Sequence, residues 1–194
     1  MSNVKTIITD DVKKQMVGSK GEILLGDYFR NKGCNNVKIN GNPFSEVDIS
    51  LTYQNKIYKC EIKTQTPYVK LHRVSYPLRP AQLLKLKQVD FVYFLCKADD
   101  SIIGSSRFEG RLYRAKAIDV FNWIEKDHSI MYKKNNLLKH DRYTNCFWFN
   151  IPMSVPFLKL VHTFSKEDMK HFRKIGISQY KTNEFNELVK KYNR

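Results

Sequence analysis

The sequence has little cysteine, and no apolar run of about 18 residues is present to span a membrane. The four cysteines form no C-x-x-C pair, which argues against a zinc or iron–sulfur site. Cys60 and Cys96 lie in apolar strand patterns and are interpreted as buried thiols in a reducing compartment. The segment from Met1 to Lys14 lacks the apolar core of a signal peptide. We therefore expect a cytoplasmic protein without a membrane partner.

Other catalytic patterns are also missing. The five histidines show no H-x-x-x-H spacing, and there is no glycine-rich phosphate loop. Acidic residues are scarce, with 19 Asp and Glu against 34 Lys and Arg and a formal net charge of +15. Such an excess of positive charge indicates a polyanionic partner, and charge alone allows either nucleic acid or an anionic membrane.

Two segments with alternating apolar and polar residues predict an antiparallel β-hairpin, with strands at Val47–Tyr53 and Lys56–Thr64. Side chains alternate between the two faces of a strand, so Glu61 and Lys63 should point the same way. In the first strand Asp48 alternates with Val47 and Ile49, so its side chain can lie on the same face as Glu61. The pattern therefore predicts that two carboxylates and one ammonium group converge.

Clustered like charges cost stability unless a positive charge lies between them. Mg²⁺ suits such a place, because it takes oxygen ligands from one or two carboxylates together with water and a substrate phosphate. Asp48 and Glu61 are therefore candidate metal ligands. Lys63, beside the ion, would hold or activate the attacking water.

Asp48 followed by Glu61-Ile62-Lys63 resembles the active-site signature of the PD-(D/E)XK nuclease superfamily. This is the only E-x-K tripeptide in the chain, and Val47 stands where the family pattern has proline. Upstream, Gly18-Ser19-Lys20-Gly21-Glu22 resembles the start of the family's first helix, whose acidic residue often joins the metal site.

The resemblance implies an α/β fold with a restriction-endonuclease-like core, in which helices flank a mixed β-sheet. It implies a DNA endonuclease with one or two Mg²⁺ ions, for which Mn²⁺ would substitute. Asp48 and Glu61 would bind the metal directly, Ile62 through its carbonyl, and Glu22 through water or at a second ion. The catalytic residues would be Asp48, Glu61, Lys63 and Glu22.

Glu22 has a second interpretation. Ser19-Lys20-Gly21-Glu22 matches a capping box, in which Glu22 only satisfies backbone N–H groups at a helix start. A helix is expected over Thr9–Lys32 with Gly33 as its end, and the two glycines near position 20 leave its start open. Sequence alone does not decide between the two roles.

The segment after the hairpin has no acidic residue before Asp90 but many basic and aromatic ones. Such a segment next to the active strand is suited to hold a phosphate backbone, although an ordinary solvated loop and helix fits the same composition. In parts of the superfamily a Gln or Lys of the following helix, here Pro80–Gln88, reaches the active centre. The candidate DNA-binding residues are Lys70, Arg73, Arg79, Gln82 and Lys85, with Tyr68, His72 and Tyr76 as the interspersed rings.

The remaining patterns predict a nuclease core over residues 1–131 and a basic extension over 132–194. The extension carries thirteen Lys and Arg against five Asp and Glu, and we expect it to pack on the core and to serve DNA recognition or dimerisation. The predicted elements are strands at Val37–Asn40, Phe91–Cys96, Arg111–Ala117 and Phe147–Phe149, and helices at Ile118–Ile124, Ser165–Lys174 and Thr182–Tyr192.

The favoured function is a homodimeric, sequence-specific enzyme that cuts duplex DNA, of the restriction or homing type. A nuclease of the Holliday junction resolvase type is an alternative within the same superfamily. A non-catalytic nucleic-acid-binding module on the same fold is another, and an RNA-binding protein with a coincidental motif would be marked by aromatic rings on an exposed sheet face.

Overall fold

A computed structural model describes residues 10–40, 47–67, 74–78, 80–97, 106–125, 147–151 and 157–175. The helices in these ranges are α1 (Asp10–Asn31), α2 (Pro80–Lys85), α3 (117–125) and α4 (Lys166–Lys174), and a 3-10 turn covers Leu86–Gln88. The strands are β1 (Asn35–Ile39), β2 (Ile49–Tyr53), β3 (Lys56–Gln65), β4 (Val74–Leu78), β5 (Phe91–Cys96), β6 (Arg111–Lys116), β7 (Phe147–Ile151) and β8 (Lys159–Thr163). No helix of the described residues is both long and apolar enough to cross a membrane.

Six strands form one mixed sheet in the order β1-β2-β3-β5-β6-β8. Strands β3 and β5 run parallel, whereas the other neighbouring strands run antiparallel. Strands β4 and β7 pair separately as a two-stranded antiparallel ribbon. The predicted α/β class, with a mixed sheet flanked by helices, is confirmed.

The predicted hairpin is present as β2 and β3, whose antiparallel register runs from the pair Ile49 and Cys60 to the pair Tyr53 and Lys56. Gln54 and Asn55 connect the strands with positive φ angles of 49° and 60°. Two consecutive left-handed residues form the tight hairpin turn whose twist matches that of the flanking strands. Local sequence therefore determines both the turn and the register.

Helices α1 and α4 cover one face of the sheet. Their buried side chains, among them Leu25 and Phe172, pack with Ile49, Ile62 and Leu95. The other face is covered by the ribbon, α2, the 3-10 turn and α3, which pack on Val92, Phe94 and Cys96. Strand β5 is thus buried on both sides, which explains its continuous apolar sequence and confirms it as a central strand.

Helix α1 begins well before Ser19, so Ser19 lies inside the helix and cannot be its N-cap. The capping-box interpretation of Glu22 is therefore wrong. The predicted end at Gly33 is confirmed, because Gly33 has φ +78° and the N–H of Cys34 donates to the carbonyl of Phe29 at 3.0 Å. This is the hydrogen bond of a Schellman-type helix end.

The predicted cap of α4 is also confirmed. Ser165 accepts a hydrogen bond from the N–H of Asp168 at 3.1 Å, and the Asp168 carboxylate accepts from the N–H of Ser165 at 2.8 Å. Here the capping box is real because the chain before Ser165 is extended. Met169 and Phe172 then enter the core, so this segment beyond residue 131 packs on the sheet.

Three expectations about side-chain exposure and strands differ from the structure. Tyr76, expected among the DNA-contacting rings, is fully buried in β4, where its ring lies 5.0 Å from that of Phe94. The sequence predicts Leu83, Leu84 and Leu86 as the buried side of α2, but Leu84 is 63% exposed and only Leu83 and Leu86 are buried. Strand β8 was not predicted. The predicted helix Thr182–Tyr192 lies outside the described residues.

We predict that Gly21→Ala destabilises the protein by about 1–3 kcal/mol, a typical cost of overpacking. A Cβ at Gly21 would overlap Oγ1 of Thr64 on β3, whereas a Cβ at Gly18 in the same helix would meet nothing within 4 Å. Gly18→Ala is therefore the matched control, and it should stabilise by about 0.5–1 kcal/mol through helix propensity. Urea unfolding of both variants measures the difference, and equal effects would rule out close packing at Gly21.

Candidate active site

Asp48 is held at the start of β2 by contacts from both sides. The N–H of Asn40 donates to the carbonyl of Asp48 at 2.9 Å, and its side-chain amide donates to the carbonyl of Val47 at 2.7 Å. The Asp48 carboxylate accepts the N–H of Ile62 at 2.7 Å. Asp48 therefore lies beside β3 at the level of Glu61, one step beyond the last hydrogen-bonded register pair.

Glu61 and Lys63 point to the same side of β3, as predicted. In the parallel register they lie beside Val92 and Phe94, whose side chains face the ribbon and α2. Lys63 Nζ lies 2.6 Å from Oε1 of Glu61, and the Glu61 side chain is only 3% exposed. The two charges thus form a buried ion pair on the face opposite α1.

The electrostatics show that the predicted groups converge. Burial, and after it the negative charge of Glu61, raise the pKa of Asp48 to about 6. Lys63, the N–H of Ile62 and Lys85 act in the opposite direction on this pKa. Asp48, Glu61 and Lys63 therefore share one electrostatic environment, which Lys85 of α2 also reaches.

One oxygen of this cluster has no partner in the part of the chain that the structure describes. Oε2 of Glu61 is buried and accepts no hydrogen bond there, although Oε1 pairs with Lys63. A buried carboxylate oxygen normally has a donor or a cation beside it. A cation beside Oε2 would supply the partner that this oxygen lacks among the described residues.

The donor set fits a hard divalent cation. Asp48 and Glu61 supply carboxylate oxygens, and Ile62 between Glu61 and Lys63 can supply a backbone carbonyl, which are ligands suited to Mg²⁺ or Mn²⁺. Among the described residues no group of three or more His, Cys, Asp or Glu is arranged to hold a metal. Mg²⁺ is commonly bound by one or two carboxylates, with water and a substrate phosphate as the further ligands.

Glu22 is half-buried in α1. The residue before it, Gly21, packs against Thr64 of β3. Thr64 and Lys63 are consecutive in β3 and point to opposite faces. The structure gathers Asp48, Glu61 and Lys63. Among the described residues no group of three or more carboxylates is arranged to hold a metal, and the role of Glu22 through water or at a second ion stays a prediction.

The predicted DNA-binding residues divide into two sets. Gln82 and Lys85 are half-buried on α2, and Lys85 lowers the pKa of Asp48 through its charge. Lys70, Arg73 and Arg79 lie outside the described residues, as do Tyr68 and His72. Of the two described candidates, only Lys85 is charged, and its charge acts on Asp48.

Two positioning residues were missed in the sequence. Asn40 holds Asp48, as described above. Asp90 aligns β5 with β3, because its carboxylate accepts the N–H of Lys59 at 2.8 Å while its own N–H donates to the carbonyl of Lys59 at 2.8 Å. The available signal was a polar residue at or next to the end of a predicted strand, and this signal does not identify the residue's partner.

Comparison of the chain with protein-family models, with curated proteins and with solved structures found no match. What the site does must therefore be inferred from its own residues.

We predict that Asp48→Asn makes the folded protein more stable than the parent at neutral pH. The fold raises the pKa of Asp48 from 3.8 to about 6, so between these values the folded chain binds more protons than the unfolded chain. Stability therefore falls as the pH rises through this interval. The asparagine side chain of the variant has no charge to bury, and the gain should be about 1–3 kcal/mol at roughly pH 8.

The measurement is urea unfolding of parent and variant from about pH 4 to about pH 8 in the presence of a chelator. The gain should shrink toward the acidic end of this range, where Asp48 is protonated in the folded chain and partly protonated in the unfolded chain. Asp27→Asn is the control, since Asp27 is exposed and pairs with Arg30 on α1. A stability difference that does not change with pH would contradict the assigned environment of Asp48.

Proposed function

We propose that the protein is a magnesium-dependent DNA endonuclease with a restriction-endonuclease-like core of the PD-(D/E)XK type. The observation that carries the proposal is the cluster of Asp48, Glu61 and Lys63 on one sheet face. In it Lys63 and Glu61 form a buried ion pair, and Oε2 of Glu61 has no hydrogen-bond partner among the described residues. Two clustered carboxylates destabilise a fold, and a bound metal ion would compensate their repulsion.

The order of elements supports the same proposal. A hairpin carries the acids, and the chain then leaves β3 through β4 and α2 and returns as β5, parallel to β3. This crossover places α2 on the face of the acids, where the charge of Lys85 reaches Asp48. The basic group is thus on the side from which a phosphate would approach.

Each side chain has a distinct role in this proposal. Asp48 and Glu61 would hold the ion with the carbonyl of Ile62, and a bound Mg²⁺ would supply charge stabilisation on the phosphate and a more acidic water. Lys63 orients the attacking water and offsets the negative charge of Glu61. Lys85 contacts a non-bridging phosphate oxygen.

The substrate is proposed to be duplex DNA. The net charge of +15 suits a polyanion, and phosphate contacts dominate the affinity of DNA-binding proteins. The segment after residue 131 adds β7, β8 and α4 to the hairpin-and-crossover core, which favours a sequence-specific cutter with added recognition elements. Dimer formation is part of the same proposal.

We predict that the parent protein cuts DNA in Mg²⁺ or Mn²⁺ and that Asp48→Asn lowers the rate by at least about a thousandfold, as removal of a metal ligand from a catalytic site should. The assay follows supercoiled plasmid, linear duplex and a four-way junction on gels, with each metal or with chelator. Preferential resolution of the junction would identify the resolvase subtype instead of a duplex cutter.

Asp27→Asn is the matched control and should cut at the parent rate, since Asp27 is an exposed acid on the opposite side of the sheet. Asp48→Asn is a cleaner test than Lys63→Ala, because the latter leaves Glu61 buried without its ammonium partner and should unfold the protein more easily. Parent-like cutting by Asp48→Asn, or undiminished cutting in chelator, would rule out the metal-dependent mechanism. DNA binding without any cutting would point to the non-catalytic module.

A further inference from the structure

A cavity lies on the face of β3 opposite Glu61 and Lys63. This cavity, of about 360 Å³, opens between the C-terminal end of α1 and strands β2, β3, β5 and β6. Cys60 lines it, whereas the next residue, Glu61, points to the opposite face. Asp48, Glu61 and Lys63 do not line the cavity, whose volume lies within the range of roughly 300–1,000 Å³ typical of small-ligand sites.

Six of the twelve described residues that line the cavity are aromatic. The lining rings are Tyr28, Phe29, Tyr53, Tyr58, Phe91 and Tyr93. Tyr58 and Phe91 meet at 5.7 Å with a tilt of 42°, and Phe29 meets Tyr93 edge-on at 5.1 Å, so these rings do not stack face to face on one another. Tyr53 is 42% exposed, so part of its ring is accessible to a ligand. Such a wall is suited to a flat aromatic ligand.

The charges at the cavity are positive. Lys32 and Arg114 line it, and the described part of the chain contributes no Asp or Glu to its lining. The Arg114 guanidinium lies 4.9 Å from the ring centre of Phe91, within the range of a cation–π contact. Burial, and after it the negative charge of Asp90, raise the pKa of Cys60, and the Asp90 carboxylate accepts a hydrogen bond from the N–H of Lys59. An anionic group is therefore favoured beside the rings.

We propose that this cavity binds a nucleoside monophosphate group, with the base against the aromatic wall and the phosphate on Arg114 and Lys32. Aromatic rings supply stacking, and a guanidinium and an ammonium supply charge-assisted contacts to phosphate. The group is either a free nucleotide or the terminal nucleotide of a strand. This binding goes beyond the proposed nuclease function and requires neither the metal nor Asp48.

The test is calorimetric titration of the full-length protein with deoxyadenosine monophosphate in chelator at fixed salt. Saturable binding at one site per chain is expected. Lys32→Gln and Tyr58→Leu should each weaken it by at least about fivefold, the lower end of what one stacking contact or charge contributes. Lys32 is exposed at the end of α1, so its substitution leaves the core intact.

Lys166→Gln is the matched control, because it removes one positive charge from an exposed lysine that does not line the cavity. It should change affinity by less than about twofold. Deoxyadenosine and ribose 5-phosphate, which lack the phosphate and the base respectively, should bind more weakly than the nucleotide. Equal losses in Lys32→Gln and Lys166→Gln, or no saturable binding, would overturn the proposal, the former because it signifies general charge attraction.

A second arm distinguishes the two sources of the ligand. Short oligodeoxynucleotides with and without a terminal phosphate compete against the mononucleotide in the same buffer. Displacement that depends on the terminal phosphate supports a strand end as ligand, and displacement by mononucleotides alone supports a free nucleotide. Displacement by both oligonucleotides equally would contradict a site that recognises one nucleotide with its phosphate. Because chelator prevents metal-dependent cleavage, these outcomes are independent of nuclease activity.

Discussion

Two carboxylates that share one buried ammonium group are the constraint on which the rest of this structure depends. Asp48 and Glu61 lie side by side, and Lys63, 2.6 Å from Glu61, compensates only one of the two charges. The raised pKa of Asp48 shows the cost of this arrangement. The backbone must hold the acids in place, and it does so through the N–H of Ile62 and through Asn40.

Strand β3 contributes side chains to both faces of the sheet. Its register against β5, set by Asp90, sends Glu61 and Lys63 toward the ribbon and sends Cys60 toward the aromatic cavity. Consecutive residues therefore serve a candidate metal site on one side and a candidate nucleotide site on the other. A shift of one residue in this register would exchange the two sets of side chains, so the pairing of β3 with β5 protects both sites.

Elements with a strong local pattern were predictable from sequence, and those that depend on distant pairing were less so. The Gln54-Asn55 turn, the end of α1 at Gly33 and the cap at Ser165 all follow from residues close in the chain. Strand β4 was missed even though its alternate residues are apolar, because its partner β7 lies far along the chain. Arg73 and Arg79 flank β4 in the sequence, so the pattern predicts a surface segment where the structure has a buried ribbon strand.

The sequence by itself determined that Asp48, Glu61 and Lys63 share one face, because a strand alternates with period two and the hairpin turn sets the register. Only the tertiary structure decided that Gly21 of α1 packs on Thr64, that the charge of Lys85 reaches Asp48, and that six aromatic rings line one cavity. These facts depend on which face each helix covers and on how strands far apart in the chain pair. Such choices follow from packing of the whole core, which no local pattern encodes.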